Sequence, residues 1–298
     1  MQTKYKEDFI HAGKLAGEVR AFGKALIQKG ASYNEVLAKI NEKIFSLGAI
    51  PAFPPQIALN DVAAHFLLSP GQEIIFNDEV VKLDVGVCYK GAIGDCACTV
   101  DLSGKNETLI RAAEEALLAA EKSVEVGRPI REIGKIIEET ATRFGLRPIK
   151  NLSGHGLGYY KIHTPPCIPN YDHGSPGVIK PGMTFAIEPF VTNGKGQIYE
   201  EGEPTIFAFV TNRKVKSAVA KKLLERIKTF QGLPFSIHNL LMPEFSIPTV
   251  QQALKDLVQG GLLTGYGPLI EEEHGLVAQA ENSILVDEKG GVLVTTRI

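Results

Sequence analysis

The chain has 298 residues, a hydrophobic share of 44%, a charged share of 22% and a formal net charge of -2 at pH 7. It is long enough for one large domain, or for one domain plus an insert, and its composition is ordinary for a globular protein. The near-neutral charge excludes a global attraction to nucleic acid or to an anionic membrane. No apolar run reaches the ~18 residues of a membrane span, and the first residues lack the apolar region of a signal peptide.

The cysteines give the expected compartment. Cysteine occurs at four positions without any CxxC spacing, namely Cys88, Cys96, Cys98 and Cys167. This pattern favours free thiols in a reducing compartment over a disulfide framework. We therefore expect a soluble, cytoplasmic protein.

Two pairs of helices are predicted from the spacing of apolar residues. Residues 5–29 have helical spacing, and Ser32 and Glu35 then have the form of a capping box that begins a second helix. The pattern returns from about residue 106 to residue 126, and a further helix follows over about 130–144. Each pair leads into a stretch that is typical of strands.

Glycines indicate that these pairs are copies of one unit. Gly30 and Gly48 frame the second helix, and Gly127 and Gly145 frame the fourth. Both spacings are eighteen residues, and the two frames are offset by ninety-seven residues. The match predicts an internal duplication of a helix–helix–strand unit.

Residues 80–100 are predicted to form a β-hairpin that turns around Tyr89 and Lys90. Asp84 and Asp95 are eleven residues apart, so an even-numbered loop would make the two carboxylates face each other. Like charges directly opposite each other destabilise a sheet, and a bound cation would relieve the repulsion. The alternative is a solvated hairpin with two surface acids.

The second half adds three candidate ligands. His155 lies among glycines, while Glu188 and Glu281 are lone acids set in apolar, strand-like segments. Each has an ordinary interpretation as a loop or paired core residue, but acids are rarely buried without a partner. Four carboxylates and one imidazole could hold two divalent ions at the ~3.5–4 Å typical of two-metal hydrolases. The absence of thiolates from this set disfavours a structural zinc site.

Residues 211–272 do not follow the repeated helix–helix–strand pattern. A basic helix is predicted over 214–228 and a second helix over about 250–258, followed by glycine-rich turns that suggest a small wing. The favoured interpretation of the basic helix is a solvated face, and binding of RNA or of the ribosome is the alternative.

The ordered set Asp84, Asp95, His155, Glu188 and Glu281, within the phrases KLDVG, GDCA, SGHG and IEP, resembles the metal ligands of methionine aminopeptidases and their pita-bread relatives. The ninety-three residues between the last two ligands exceed what the short form of the family needs, and the excess coincides with residues 211–272. Such an insert is the mark of type II methionine aminopeptidases. Because no charged N-terminal extension is seen, the chain looks like their archaeal form.

The resemblance implies an α+β pita-bread fold, with a pseudo-twofold internal repeat around a curved antiparallel sheet and a small winged-helix-like insert. Residues 1–210 and 273–298 would form the catalytic domain, and residues 211–272 the insert.

It also implies roles for single residues. Asp84 would chelate one metal ion, Asp95 and Glu281 would bridge two, and His155 and Glu188 would complete the site. Glu188 would also move protons during catalysis.

Four further positions match substrate-contacting segments of the family. His65 and His163 would be the two substrate histidines, with His163 bonded to the carbonyl oxygen as it becomes a gem-diolate. Phe53 and Ile162 fall where the family lines its methionine pocket. One departure is plain: relatives usually read Glu-His-Thr at the last ligand, and this chain reads Glu-Asn-Ser over residues 281–283. That departure concerns the tuning of the site rather than ligation.

The implied activity is removal of the initiator methionine from nascent proteins when the second residue is small. The implied cofactors are two divalent ions (iron, manganese, cobalt or zinc). The expected partners are N-termini of nascent polypeptides, met at the ribosome. No membrane or nucleic-acid partner is expected, and the chain is expected to be a monomer.

Two alternatives stay open. A prolidase or Xaa-Pro aminopeptidase would use the same five ligands, but such relatives carry a substantial N-terminal domain, and only 83 residues precede Asp84 here. A non-catalytic ribosome- or RNA-binding relative would typically have lost ligands.

Overall fold

The computed structural model describes residues 3–174 and 176–298. The helices within these ranges are α1 (Thr3–Leu26), α2 (Tyr33–Ser46), α3 (Glu107–Ser123), α4 (Ile130–Arg143), α5 (Ala218–Lys228), α6 (Ile247–Gln259) and a 3-10 helix (Ile237–Leu240). In the described part of the chain, no helix is both long enough and apolar enough to cross a membrane.

The strands are mostly short and pair antiparallel wherever they form ladders. They are β1 (Ile50–Pro51), β2 (Gln56–Leu59), β3 (Val62–Ala64), β4 (Val80–Tyr89), β5 (Ala92–Asp101), β6 (Arg147–Pro148), β7 (Ser153–Gly158), β8 (Lys161–Pro169), β9 (Thr184–Ile187), β10 (Phe190–Thr192), β11 (Ile198–Glu200), β12 (Ile206–Phe209), β13 (Phe235–Ser236), β14 (Leu263–Tyr266), β15 (Leu269–Glu271), β16 (Val277–Gln279), β17 (Asn282–Val286) and β18 (Val292–Val294). The largest sheet has the order β18-β17-β9-β7-β8, and β4 pairs with β1, β2 and β5 in a second sheet. The α+β prediction is confirmed.

The internal duplication is visible in the backbone. Helices α2 and α4 each have 14 residues and begin ninety-seven positions apart. The amide of Gly30 donates to the carbonyl of Phe76 over 2.7 Å, and the amide of Gly127 donates to the carbonyl of Ile179 over 2.9 Å. Each copy then adds a two-residue strand, β1 or β6, which pairs with β4 or β10 respectively. The repeated glycines therefore mark equivalent points of two similar units.

Each unit buries its helices against strands. In the first, α1 and α2 cover one face of the β4–β5 hairpin, and Val81, Leu83, Val85 and Val87 project into that core. Helix α1 approaches β5 closely, because a Cβ atom on Gly94 would lie 2.4 Å from the carbonyl oxygen of Ala12. In the second unit, α3 and α4 pack on strands of the second half. The helices occupy one face of the hairpin, so side chains of the opposite face are left for the site.

The hairpin turns one residue later than predicted. Its two central residues are Lys90 and Gly91, with φ of 50° and 91°. Two positive φ values are the signature of the type I′ turn, which matches the twist of a two-residue hairpin. Asp84 therefore pairs with Ala97, and Asp95 with Gly86. The carboxylates share a face as predicted, but they lie diagonally, and the prediction that they are directly opposite is wrong.

The two halves meet where β5 runs beside the start of β17. Ala97 and Glu281 exchange backbone hydrogen bonds of 3.3 and 3.2 Å. The hydroxyl of Ser283 accepts from the amide of Asp95 and donates to its carbonyl, both over 2.8 Å. These bonds bring Asp95 and Glu281 together from positions 186 residues apart in the sequence.

The insert has its own apolar core, built from α5, α6 and a small sheet in the order β13-β12-β14. The basic helix begins at Ala218 rather than at residue 214, because the Ser217 side chain caps it by accepting from the amide of Ala220. Strand β12 precedes residue 211 and yet pairs with β14. The division into 1–210 with 273–298 and 211–272 stays a proposal.

Candidate active site

A cavity of about 530 Å³ opens where the two halves and the insert meet. All nine residues predicted for the site line it: Phe53, His65, Asp84, Asp95, His155, Ile162, His163, Glu188 and Glu281. Residues from both halves of the chain thus share one cavity.

The five predicted ligands occupy one wall, which we call the carboxylate face (Asp84, Asp95, His155, Glu188 and Glu281). Ligand atoms of Asp95, His155 and Glu281 all lie within 4.8 Å of one another. His155 Nε2 lies 3.5 Å from Glu188 Oε1 and 3.7 Å from Asp95 Oδ2. Asp84 is held by Gln279, whose Nε2 donates to Asp84 Oδ2 over 3.3 Å. The face is compact enough for several side chains to reach a common cation.

Much of this face lacks hydrogen-bond partners. Among the described residues, Asp84 Oδ1, Asp95 Oδ1 and both carboxylate oxygens of Glu281 are buried and have no hydrogen-bond partner. A buried carboxylate that is left unpaired costs several kcal/mol or takes up a proton. Oxygen donors with one imidazole also suit hard or borderline divalent cations. The residues therefore fit a divalent metal.

The ionisation of these acids points the same way. Burial raises the pKa of Asp84 to about 7, against the hydrogen bond from Gln279. Burial, followed by the negative charge of Asp84, raises the pKa of Asp95 well above its usual value. The pKa values of Glu188 and Glu281 are raised by burial first and then by neighbouring carboxylates. Without a cation, burial disfavours the ionised carboxylates that a metal site requires.

His65 also lines the cavity and has an uncommon backbone conformation. Its φ is 59°, in the left-handed region. The Gln56 side chain accepts from its amide over 2.6 Å, and the Thr205 hydroxyl donates to its carbonyl over 2.8 Å. Burial, with a smaller contribution from His163, lowers the pKa of His65 to about 4. The surrounding bonds hold a neutral imidazole in a strained position, which is common at functional sites.

His163 lies beside the carboxylate face. Its ring centroid is 4.4 Å from that of His155, and the two planes meet at 84°. Burial lowers the pKa of His155 to about 3, with a smaller contribution from His163. His155 is therefore neutral near pH 7, as a metal ligand must be.

The apolar end of the cavity is formed by Phe53 and Ile162, each 6% exposed and members of one apolar cluster. Gly86 makes room for the Phe53 ring, because a Cβ atom there would lie 2.2 Å from a ring carbon. The site thus has an apolar pocket next to a polar wall.

Several residues that form or support the site were not predicted from the sequence. Gln279, which holds Asp84, stands two positions before Glu281 on the same strand-like run, so the alternation of side chains could have indicated it. The insert contributes Gly232, Pro234 and Tyr266, and the Tyr266 ring lies 5.5 Å from that of His65. Nothing in the local sequence indicated that the insert reaches the site.

Comparison with known proteins agrees with this geometry. The family model described as metallopeptidase family M24 matches residues 7–287. A methionine aminopeptidase of Archaeoglobus fulgidus is 39% identical over 299 aligned positions, covering 100% of both chains.

Two solved structures share the fold. The methionine aminopeptidase of Thermotoga maritima has a TM-score of 0.73 at 22% identity, covering 100% of this chain and 98% of the other. A thermophilic Arx1 has a TM-score of 0.84 at 15% identity, covering 99% and 91%. At these identities the likeness shows the fold alone.

The family and the unpaired carboxylates together indicate that the protein uses a divalent metal. The chain belongs to metallopeptidase family M24 and, within it, to the archaeal type II methionine aminopeptidases, and it is a metal-dependent aminopeptidase.

Proposed function

We propose that this aminopeptidase removes the initiator methionine from nascent polypeptides whose second residue is small, with two divalent ions at the carboxylate face. One observation carries the proposal: unpaired buried carboxylates and the apolar side chains of Phe53 and Ile162 line the same cavity. Five ligand side chains exceed the need of one ion, and this favours two.

The five side chains of the carboxylate face would hold the ions. As the resemblance implies, Asp95 and Glu281 would serve both ions, and their ligand atoms lie with that of His155 within 4.8 Å of one another. Asp84, His155 and Glu188 would supply the remaining ligands. Iron, manganese, cobalt and zinc all suit such donors. Divalent ions bound there supply acidification of water and polarisation of the scissile carbonyl.

The chain's own residues carry the remaining steps. Glu188 would take a proton from the attacking water and deliver it to the leaving amine, and its raised pKa supports that role. His163 would donate a hydrogen bond to the carbonyl oxygen as negative charge develops there. His65, held neutral by burial, faces the scissile amide from the other side.

The pocket accounts for the choice of substrate. An unbranched thioether fills an apolar slot such as that between Phe53 and Ile162, and its burial contributes roughly 1.5–3 kcal/mol. One methylene more or less changes rates only about 10- to 200-fold, so methionine isosteres are disfavoured rather than refused. A bulky second residue would displace the amide, and about 1 Å of misplacement can cost about 10²-fold.

The predicted place and state of the protein belong to this proposal. We propose that it acts in the cytoplasm as a monomer on nascent chains at the ribosome. The favoured interpretation of the basic helix α5 stays a solvated face.

A peptide panel tests the activity. Protein loaded with cobalt, manganese, iron or zinc is assayed on Met-Ala, Met-Val, Met-Leu, Met-Lys and Ala-Pro peptides. We expect cleavage of Met-Ala and Met-Val, with at least about 10²-fold lower kcat/KM on Met-Leu and Met-Lys. Efficient cleavage of Ala-Pro with poor cleavage of Met-Ala would favour the prolidase alternative. No cleavage by metal-loaded protein would favour a binding module.

A further inference from the structure

Behind the carboxylate face lies a group of bonded polar side chains, which we call the support network (Arg20, Glu121, Asn282, Thr296 and Arg297). Its members come from α1, α3, the start of β17 and the end of the described chain. It includes Asn282, the residue at which the chain departs from the Glu-His-Thr pattern.

Asn282 is 6% exposed, and both ends of its amide are bonded. Its Oδ1 accepts from Arg20 Nη1 and from the Thr296 hydroxyl, both over 2.8 Å. Its Nδ2 donates to Glu121 Oε1 over 2.6 Å. A buried side chain with this many partners has one orientation available.

Glu121 is 6% exposed and lies between two cationic side chains. Its second carboxylate oxygen accepts from Arg297. Burial raises the pKa of Glu121, and the hydrogen bond from Asn282 and the charges of Arg297 and Arg20 oppose that rise. A buried carboxylate of this kind is tolerable because hydrogen bonds and opposite charge compensate for the loss of water.

Arg20 joins this network to the metal ligand. Nη1 donates over 2.8 Å to the backbone carbonyl of Glu281, and Nη2 donates over 3.1 Å to that of Thr296. The amide of Ala97 also donates to the Glu281 carbonyl, over 3.3 Å. The Glu281 carboxylate itself has no partner, so the direction in which it points depends on the backbone that carries it.

We propose that Arg20 and Asn282 are positioning residues, which fix the backbone at Glu281 and thereby aim its carboxylate at the bound metal. The inference rests on the proposed role of Glu281 as a ligand. Groups that orient metal ligands typically change metal affinity by about 10- to 100-fold when they are removed.

The test is a titration with Co²⁺ alone, followed by visible absorption, on the wild-type chain and on Arg20→Met. We expect the variant to bind Co²⁺ about 10- to 100-fold more weakly and to show an altered Co²⁺ spectrum at saturation. Arg20→Lys keeps the charge and one donor, and it should recover part of the affinity. The control is Lys24→Met, which removes a cation one turn further along α1. Arg20 and Lys24 both line a cavity of about 380 Å³ behind the carboxylate face, and the control should bind Co²⁺ like wild type.

A purely structural role predicts a different result. Arg20→Met would then lower the Tm of the metal-free protein but bind Co²⁺ with wild-type affinity and spectrum, and this result would overturn the proposal. If Arg20→Met does not fold, Asn282→Ala replaces it, because that variant keeps the guanidinium but removes the acceptor that orients Arg20 Nη1. It should weaken Co²⁺ binding, and unchanged binding would again overturn the proposal. Failure of the wild-type chain to bind Co²⁺ would instead refute the proposed metal site.

Discussion

The carboxylate face and the support network lie on opposite sides of the same short segment of chain. Glu281 and Asn282 are adjacent and nearly equally buried, at 1% and 6% exposed. Yet both oxygens of Glu281 lack a partner, whereas the amide of Asn282 is bonded at both ends. Alternation along the strand sends successive side chains to opposite sides. The side with unpaired carboxylate oxygens faces the proposed metal site, and the side with hydrogen-bonded polar groups supports the backbone behind it.

The largest effect should come from removing charge on the carboxylate face. Asp95→Asn and Glu281→Gln keep the shape of the side chain but lose a negative ligand. Metal ions supply several kcal/mol of transition-state stabilisation, so kcat/KM should fall on the order of 10³-fold or more. Elemental analysis of reconstituted protein should show well below the two equivalents expected for wild type.

Glu281→Gln should not harm the metal-free fold, because neither carboxylate oxygen of Glu281 has a hydrogen-bond partner among the described residues. Glu281→Gln should therefore keep or raise the Tm of metal-free protein, whereas Asn282→Asp, which sets a carboxylate against Glu121, should lower it. Glu114→Gln, an exposed acid on α3, is the control. Equal destabilisation by the front and rear substitutions would remove the distinction between the two sides.

An intermediate effect should follow from His163→Ala. Loss of one donor to a developing oxyanion typically lowers kcat by about 10²–10³-fold. Since the bond would strengthen in the transition state, KM should change little. Steady-state kinetics on a Met-Ala peptide decide this, with His11→Ala on α1 as the control. A raised KM with normal kcat would assign His163 to substrate binding.

The smallest effect concerns the pH dependence of metal-free stability. Burial raises the pKa of Asp84 to about 7 in the folded protein. From the ordinary pKa range of an aspartate up to pH 7, the folded state therefore binds more protons than the unfolded state. Stability should therefore fall as pH rises through 7. The lowered pKa values of His65, His155 and Lys82 act in the opposite direction over the same interval. The contribution of Asp84 is therefore measured as the difference between wild type and Asp84→Asn.

Between pH 6.5 and 8, Asp84 should therefore cost the metal-free protein about 1 kcal/mol, or on the order of 2 °C in Tm. Thermal unfolding at both pH values, with and without Co²⁺, measures the change. Added Co²⁺ should remove the fall, since a cation replaces the protons. The same pH dependence of metal-free Tm in wild type and in Asp84→Asn would contradict the assigned ionisation.

The sequence by itself determined the repeated units and the shared face of the two aspartates. Helices α2 and α4 follow from apolar spacing between glycines, whose positive φ requires no distant partner. The odd separation of Asp84 and Asp95 placed both on one face, because side chains alternate along a strand whatever packs against it. The phrases KLDVG, GDCA, SGHG and IEP could also be read directly, because each consists of a few consecutive residues.

Only the tertiary structure decided which groups meet. The choice of Lys90 and Gly91 as turn residues set the carboxylates diagonally, a matter of one residue that apolar patterning does not resolve. Arg20, Glu121 and Asn282 meet across more than 100 residues of sequence each, and Tyr266 reaches His65 from the insert. Such contacts depend on how whole elements pack, and a single sequence carries no periodic signal for them.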